Sequence, residues 1–336
     1  MSVRILIGDA LTRLRDLPDE SVHCCVTSPP YWGLRDYGVE GQIGLEPTPE
    51  AFVANLVGVF RGVRRVLRDD GTLWLNLGDS YAGSRSGPQG DSGEMADREV
   101  AKHRGMRNVT KGIDPKNPRN GGGSNDAPTR QRISGLKHKD LVGIPWRVAF
   151  ALQADGWWLR SDIIWHKPNP MPESVTDRPT KSHEYVFLLT KSERYAYDAD
   201  AIAEIRTGRN PGNVSHKGTT AYESGDDHHR TKGGLLNIGA REFRNARSVW
   251  TIATQPFHGS HFATMPPALA ERCIKAGCPA GGTVLDPFGG AGTTGLVADR
   301  LQRNAVLIEL SPVYAEMARA RIQGDAPLTS VVEVAA

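Results

Sequence analysis

Two stretches of this 336-residue sequence carry residue types whose spacing suits chemistry. The first is "CCVTSPPYWGLRDYG", residues 24–38. A short apolar run ends there in Thr27-Ser28, and two prolines, two aromatics and a glycine follow at once. The second is "VLDPFGGAGTTGLVADRLQRNAVLIELSP", residues 284–312. An apolar run reaches Asp286, passes Phe288-Gly289-Gly290-Ala291-Gly292, and enters a helical pattern near Thr293 and Thr294. Glycines let the backbone bend tightly and approach a ligand closely. N–H groups at a helix start favour an anionic group. Glu309, after the next strand, stands where an acid accepts hydrogen bonds from both hydroxyls of a ribose. A lone G-x-G says little. Strand, acid, glycine turn, helix, strand and acid in register point to a nucleoside ligand. The turn is not G-x-G-x-x-G and nothing resembles a P-loop lysine, which disfavours NAD and ATP. S-adenosylmethionine fits better, with Gly289 to Gly292 around its methionine moiety and Glu309 on its ribose.

A methyl donor gives the first stretch a purpose. The exocyclic amine of a nucleobase is a poor nucleophile, because its lone pair is delocalised into the ring. Acceptors aimed at its two N–H bonds favour the pyramidal form that can attack. Ser28 Oγ and the Pro29 carbonyl can supply them, Pro29 and Pro30 fix φ without adding a donor, and Tyr31 can stack on the base. This is positioning and polarisation rather than general-base catalysis. A base inside a duplex is out of reach, so it must be flipped out. Taken alone, Ser-Pro-Pro-Tyr is a rigid proline turn.

At this point the chain resembles the amino-group DNA methyltransferases that modify cytosine N4 or adenine N6. The resemblance rests on Ser28-Pro29-Pro30-Tyr31, which matches the tetrad (Asp/Asn/Ser)-Pro-Pro-(Tyr/Phe), and on Phe288-Gly289-Gly290-Ala291-Gly292, which matches the F-x-G-x-G cofactor turn. It covers roughly 1–80 and 260–325, and more loosely 141–190. Tetrad early and glycine turn late is the circularly permuted "beta" order. The resemblance implies S-adenosylmethionine as cofactor. Asp9 would lie near its adenine, and "HFATMPPAL" (261–269), with His261, Phe262 and Thr264, would help hold methionine. "IIWHKPNPMP" (163–172) resembles the segment lining the base pocket. His166 there contacts base or phosphate or has no role; Lys167 and, after the tetrad, Trp32 fall on the DNA side. Asp79 contacts cofactor or base, or caps a turn. Serine at the first tetrad position resembles the N4-cytosine members, with N6-adenine as the alternative. Double-stranded DNA is the implied partner. A cognate restriction endonuclease, and monomer or homodimer, stay open. C5 methylation is disfavoured, because it needs a Pro-Cys nucleophile after a strand and here Cys278 precedes Pro279 after a helix.

Apolar runs and spacing indicate the elements that must carry these residues. "VRILIGD", "SVHCCVTS" and "TLWLNLG" are strands. Between them, Leu11, Leu14 and Leu17 mark one helix and Phe52, Leu56, Phe60, Val63 and Leu67 a second, started by Thr48-Pro49 and closed at Gly71. A helix over 144–156 and an antiparallel pair, "WWLRSDIIWHK" with "EYVFLLTK", follow. The C-terminal stretch repeats helix, strand, helix, strand, helix. The expectation is an α/β, doubly wound, mostly parallel sheet of seven strands, Rossmann-like, with its two chain ends meeting in one sheet and the cofactor at the switch point. The expected divisions are 1–81 catalytic half, 82–140 polar insertion, 141–190 remainder of the sheet, 191–258 target recognition, 259–325 cofactor half and 326–336 tail.

Composition agrees with a core bearing irregular insertions: 39% of residues are hydrophobic, and Gly and Pro number 37 and 22. Net charge is +3, but residues 81–140 hold 12 Lys/Arg against 7 Asp/Glu and residues 201–260 hold 8 against 5. These segments are solvated loops or arms that meet phosphates. In the second, Arg241, Arg244 and Arg247 stand at helical spacing. No apolar run is long enough to span a membrane, no signal peptide is visible, and four cysteines without C-x-x-C suit a reducing cytoplasm. No metal is expected; His228-His229 lacks ligand spacing. Two other classes compete: a nucleotide-binding oxidoreductase, which would need the dinucleotide glycine pattern, and a non-catalytic DNA-binding module.

Overall fold

The computed structural model describes residues 1–34, 36–83, 135–205, 243–255, 264–326 and 331–335. The chain divides into two units, residues 80–142 and the remainder. In the smaller unit the two described ends pair. Tyr81 bridges Leu141 in antiparallel sense, and the Ala82 amide donates to the Asp140 carbonyl at 2.8 Å.

The larger unit begins β1 (Ser2–Ile7), α1 (Ala10–Arg15), β2 (Val22–Thr27), α2 (Pro49–Val66) and β3 (Leu67–Leu77). It continues with α3 (Ile144–Ala154), β4 (Trp158–His166), β5 (His183–Thr190), β6 (Glu204–Ile205), β7 (Phe243–Arg244) and β8 (Val249–Thr251). It closes with α4 (Pro267–Gly277), β9 (Thr283–Asp286), α5 (Thr293–Arg300), β10 (Asn304–Glu309), α6 (Pro312–Asp325) and β11 (Val331–Ala335). The main sheet runs β11-β1-β10-β9-β2-β3-β5-β4-β8. Only β5 pairs antiparallel, with β3 and β4. The N-terminal strands flank the C-terminal ones: β1 lies against β10 and β2 against β9.

Local sequence explains these elements. Thr48 Oγ1 accepts from the Ala51 amide at 3.1 Å and Pro49 opens α2. Its apolar stripe, Phe52, Leu56, Phe60 and Val63, is fully buried, each large side chain contributing about 1.5–3 kcal/mol. β2 and β9 are buried on both faces, as parallel strands covered by helices require. From β9 the next strand, β10, lies to one side, and from β2 the next, β3, lies to the other. That reversal opens a crevice at the carboxyl ends of β9 and β2.

Three expectations need correction. The sheet has nine strands among the described residues rather than seven. The supposed tail supplies one, β11, at the edge of β1, and β8 is the other extra edge strand, parallel to β4. Gly71 does not close α2. The helix ends at Val66 and Gly71 lies inside β3, where a Cβ would stand 2.9 Å from the Arg68 carbonyl oxygen. Among the described residues, the helical spacing that includes Arg244 and Arg247 does not produce a helix. Residues 243–244 form β7, antiparallel to β6, and Arg241 lies outside the described residues.

Candidate active site

At the crevice, one cavity is lined by Ser28, Pro29, Pro30 and Tyr31 from the end of β2, and by Asp286 to Ala291, Thr293 and Thr294 from the passage between β9 and α5. Asp9, Thr264 and Glu309 line the same cavity. Residues 261 and 262 lie outside the described residues.

Asp286 joins the two halves. Its Oδ1 accepts from Thr27 Oγ1 at 2.6 Å and from the Phe288 amide at 3.0 Å, and its Oδ2 accepts from Thr294 Oγ1 at 2.7 Å. Burial pushes this carboxyl above its usual range, against the pull of the two hydroxyls. The residue before Ser28 is thereby tied to the strand that leads into the glycine turn. Thr293 faces Arg321, whose guanidinium donates to Thr293 Oγ1 at 2.9 Å and to the Ala291 carbonyl at 3.0 Å.

The glycine turn is shaped for close approach. Gly290 and Gly292 have φ of 49° and 75°, and a Cβ on Gly292 would stand 2.7 Å from Ala318 Cβ. Its amides are largely spent inside the fold. Gly289 donates to the Ile308 carbonyl, Gly292 to the Gly289 carbonyl, and Gly290 to Glu309 Oε2 at 2.7 Å. The turn therefore offers a bare backbone surface rather than the nest of donors expected from sequence. Glu309 also takes the Ser311 amide at 2.9 Å, and burial raises its carboxyl above the ordinary range. Two amides leave acceptor capacity on a carboxylate that has about four sites. A nucleoside with a ribose diol fits this acceptor, its hydroxyls donating to the carboxylate. Asp9 caps α1, its Oδ1 accepting from the Thr12 amide at 3.0 Å.

Behind the tetrad lies a polar network that sequence reading missed. Tyr31 Oη donates to Glu184 Oε2 at 2.6 Å, and Asn76 Nδ2 donates to the same oxygen at 3.1 Å. Lys167 Nζ pairs with Glu184 Oε1 and lies 4.3 Å from the Trp165 ring centroid. Ser28 Oγ donates to Tyr31 Oη at 3.4 Å. Burial first, and the Glu184 carboxylate second, hold the Tyr31 phenol well above its usual range. Gly78 makes room for this ring, since a Cβ there would stand 2.9 Å from Tyr31 Cδ2. The segment after the tetrad also lines the cavity through Leu34, Tyr37, Val39 and Gln42. Its only sequence signal was the cluster of glycines at 38, 41 and 44.

Other expected residues sit elsewhere. Trp32 is buried, with its indole donating to the Glu46 carbonyl at 2.9 Å, so it braces the loop. Asp79 caps α3 by accepting from the Gly143 and Ile144 amides, each at 3.0 Å. His166 Nδ1 meets Thr251 Oγ1 at 3.2 Å. Arg244 and Arg247 converge with Arg272 on one carboxylate, Glu204. Among the described residues no group of three acids, histidines or cysteines is arranged to hold a metal, and no helix is long and apolar enough to cross a membrane.

Comparison with known proteins bears on this site. The DNA methylase family model matches residues 22–320. The type II methyltransferase M.XycI of Xanthomonas campestris pv. cyanopsidis is 48% identical over 98% of this chain and 90% of its own length. M.Cfr9I of Citrobacter freundii, also a type II methyltransferase, is 45% identical over the same shares. Among solved structures, the cytosine-N4-specific PvuII DNA methyltransferase superposes with a TM-score of 0.59 at 17% identity, covering 99% of this chain and 95% of that one. At that identity the likeness concerns the fold.

Proposed function

The chain belongs to the DNA methylase family and is a DNA methyltransferase of the amino-group class; from that premise we propose that it methylates the exocyclic N4 amine of a flipped-out cytosine by direct transfer. One observation carries the reading: the Ser-Pro-Pro-Tyr turn and the glycine turn line a single cavity. When bound, S-adenosylmethionine supplies an electrophilic methyl group on sulfur. Gly289, Gly290 and Gly292 leave room for its methionine end, Glu309 accepts from its ribose, and Asp9 and Thr264 flank it, with His261 and Phe262 assigned by the family resemblance.

Ser28 Oγ and the Pro29 carbonyl accept the two amine hydrogens, which favours a pyramidal nitrogen with its lone pair free to attack. Tyr31 packs against the everted ring, and the rigid prolines hold the acceptors in place. Serine at the first tetrad position supports cytosine. Residues 191–258 and the basic insertion at 82–140 are assigned to duplex recognition, with Arg241, Arg244 and Arg247 toward phosphates. The type II relatives support a role beside a restriction endonuclease.

The test separates binding from chemistry. Ser28→Ala and Tyr31→Ala proteins are expected to bind S-adenosylhomocysteine normally and to lose methyl transfer to DNA. Near-normal methylation by both would end the assignment.

A further inference from the structure

The Glu184 network has a direction. A carboxylate is an acceptor only, whereas a hydroxyl has one hydrogen to give. Tyr31 gives its hydrogen to Glu184 at 2.6 Å, so toward Ser28 it can only accept, and Ser28 Oγ donates to it at 3.4 Å. The single hydrogen of Ser28 is then committed to Tyr31, which leaves the Ser28 lone pairs for a ligand in the cavity that both residues line.

We propose that Glu184 is a positioning residue for the transfer: acting through Tyr31, it fixes the Ser28 hydroxyl as an acceptor facing the target amine. The inference rests on the reading of Ser28 as that acceptor. It also makes Glu184 a determinant of base choice. A base with a carbonyl at the target position, such as uracil, needs a donor from Ser28 and finds none. The carboxylate itself is held by three donors, from Tyr31, Asn76 and Lys167.

Glu184→Gln is isosteric but removes one of the two acceptor oxygens. The Lys167 ammonium has no acceptor to offer and takes the remaining oxygen. The new amide NH2 then faces Tyr31, whose hydrogen is released to its two other neighbours, Asn76 Oδ1 at 3.3 Å and Ser28 Oγ at 3.4 Å. The acceptor that fixed the polarity of the chain is gone.

The experiment measures single-turnover transfer for wild type, Glu184→Gln, Tyr31→Phe and the double variant, on a duplex carrying the enzyme's mapped site. Binding of that duplex with cytosine or uracil at the target position is measured in parallel, with S-adenosylhomocysteine present. Glu184→Gln is expected to lose about 100-fold in rate, the scale of removing one preorganised polar group, with cofactor affinity unchanged. The cytosine-over-uracil binding ratio is expected to fall about 10-fold or more, on the scale of one hydrogen bond. In the Tyr31→Phe background the Glu184 substitution should add less than about twofold, because both act through one chain. Tyr31→Phe cuts that chain without touching the carboxylate, so its loss of the cytosine preference is expected even where Glu184→Gln lowers the melting temperature. Additive losses, or an unchanged cytosine preference in Tyr31→Phe, would overturn the inference while leaving the Ser28 assignment standing. Wild-type transfer by Ser28→Ala would instead remove the reading beneath it.

Discussion

Adding one methyl group at Gly78 should disable transfer without touching the cofactor half of the site. Gly78 follows β3, directly behind the Tyr31 ring. A Cβ there would stand 2.9 Å from Tyr31 Cδ2, 3.2 Å from Cζ, and closer still to Cε2. Carbon atoms settle at about 3.5–4.0 Å, so the ring must retreat by about 1 Å. Its hydroxyl is 2.6 Å from Glu184 Oε2, and the same shift carries that bond beyond hydrogen-bonding distance. A hydrogen bond to a charged group contributes about 1.5–3 kcal/mol, which corresponds to roughly 10- to 100-fold in rate if it acts in the transition state. The expected result for Gly78→Ala is a single-turnover rate lower by that factor, with S-adenosylhomocysteine affinity by calorimetry within twofold of wild type. A wild-type rate would refute the claim that Tyr31 must sit where it does. Equal losses in rate and cofactor affinity would show general distortion of the site instead.

Other outcomes follow from single contacts. Gly292 has a φ of 75°, and a Cβ would stand 2.7 Å from Ala318 Cβ. Left-handed backbone costs a non-glycine residue about 1–2 kcal/mol before any clash, so Gly292→Ala should lower S-adenosylhomocysteine affinity by about 10-fold or more in calorimetry. At Glu204, burial opposes ionisation, but Arg247 and Arg272 outweigh it and hold the carboxyl at about 2 against an ordinary 4.5. Its folded value is depressed, so its stabilisation is complete above pH 4.5 and is lost as pH falls toward 2. The melting-temperature gap between wild type and Glu204→Gln should therefore be full at neutral pH and shrink below pH 4.5.

Much of this arrangement is legible in the sequence because it is built from local signals. Apolar runs such as Val284–Leu285 and Ala305–Ile308, the Thr48-Pro49 cap and the glycine turn at 289–292 each fix their own conformation, and strict α/β alternation then limits the topology. The pairing of the chain's two ends follows from motif order. What escapes detection is held by distant partners. β8 and β11 are short edge strands that pair through backbone, with no periodicity to announce them. Arg244 and Arg247 are spaced as on a helix, yet their acid, Glu204, lies about 40 residues earlier and draws them into a strand and loop. Glu184 meets Tyr31 across 153 positions. The need for glycine at 78 exists only once the Tyr31 ring is in place. The Trp32 indole bond to the Glu46 carbonyl likewise exists only once the loop has folded.

The identity of the methylated atom tests the central claim most directly. Duplex DNA is incubated with the protein and labelled S-adenosylmethionine, digested to nucleosides and resolved by mass spectrometry. The label is expected in N4-methyldeoxycytidine. Label in N6-methyldeoxyadenosine or C5-methyldeoxycytidine, or none in DNA, would contradict it.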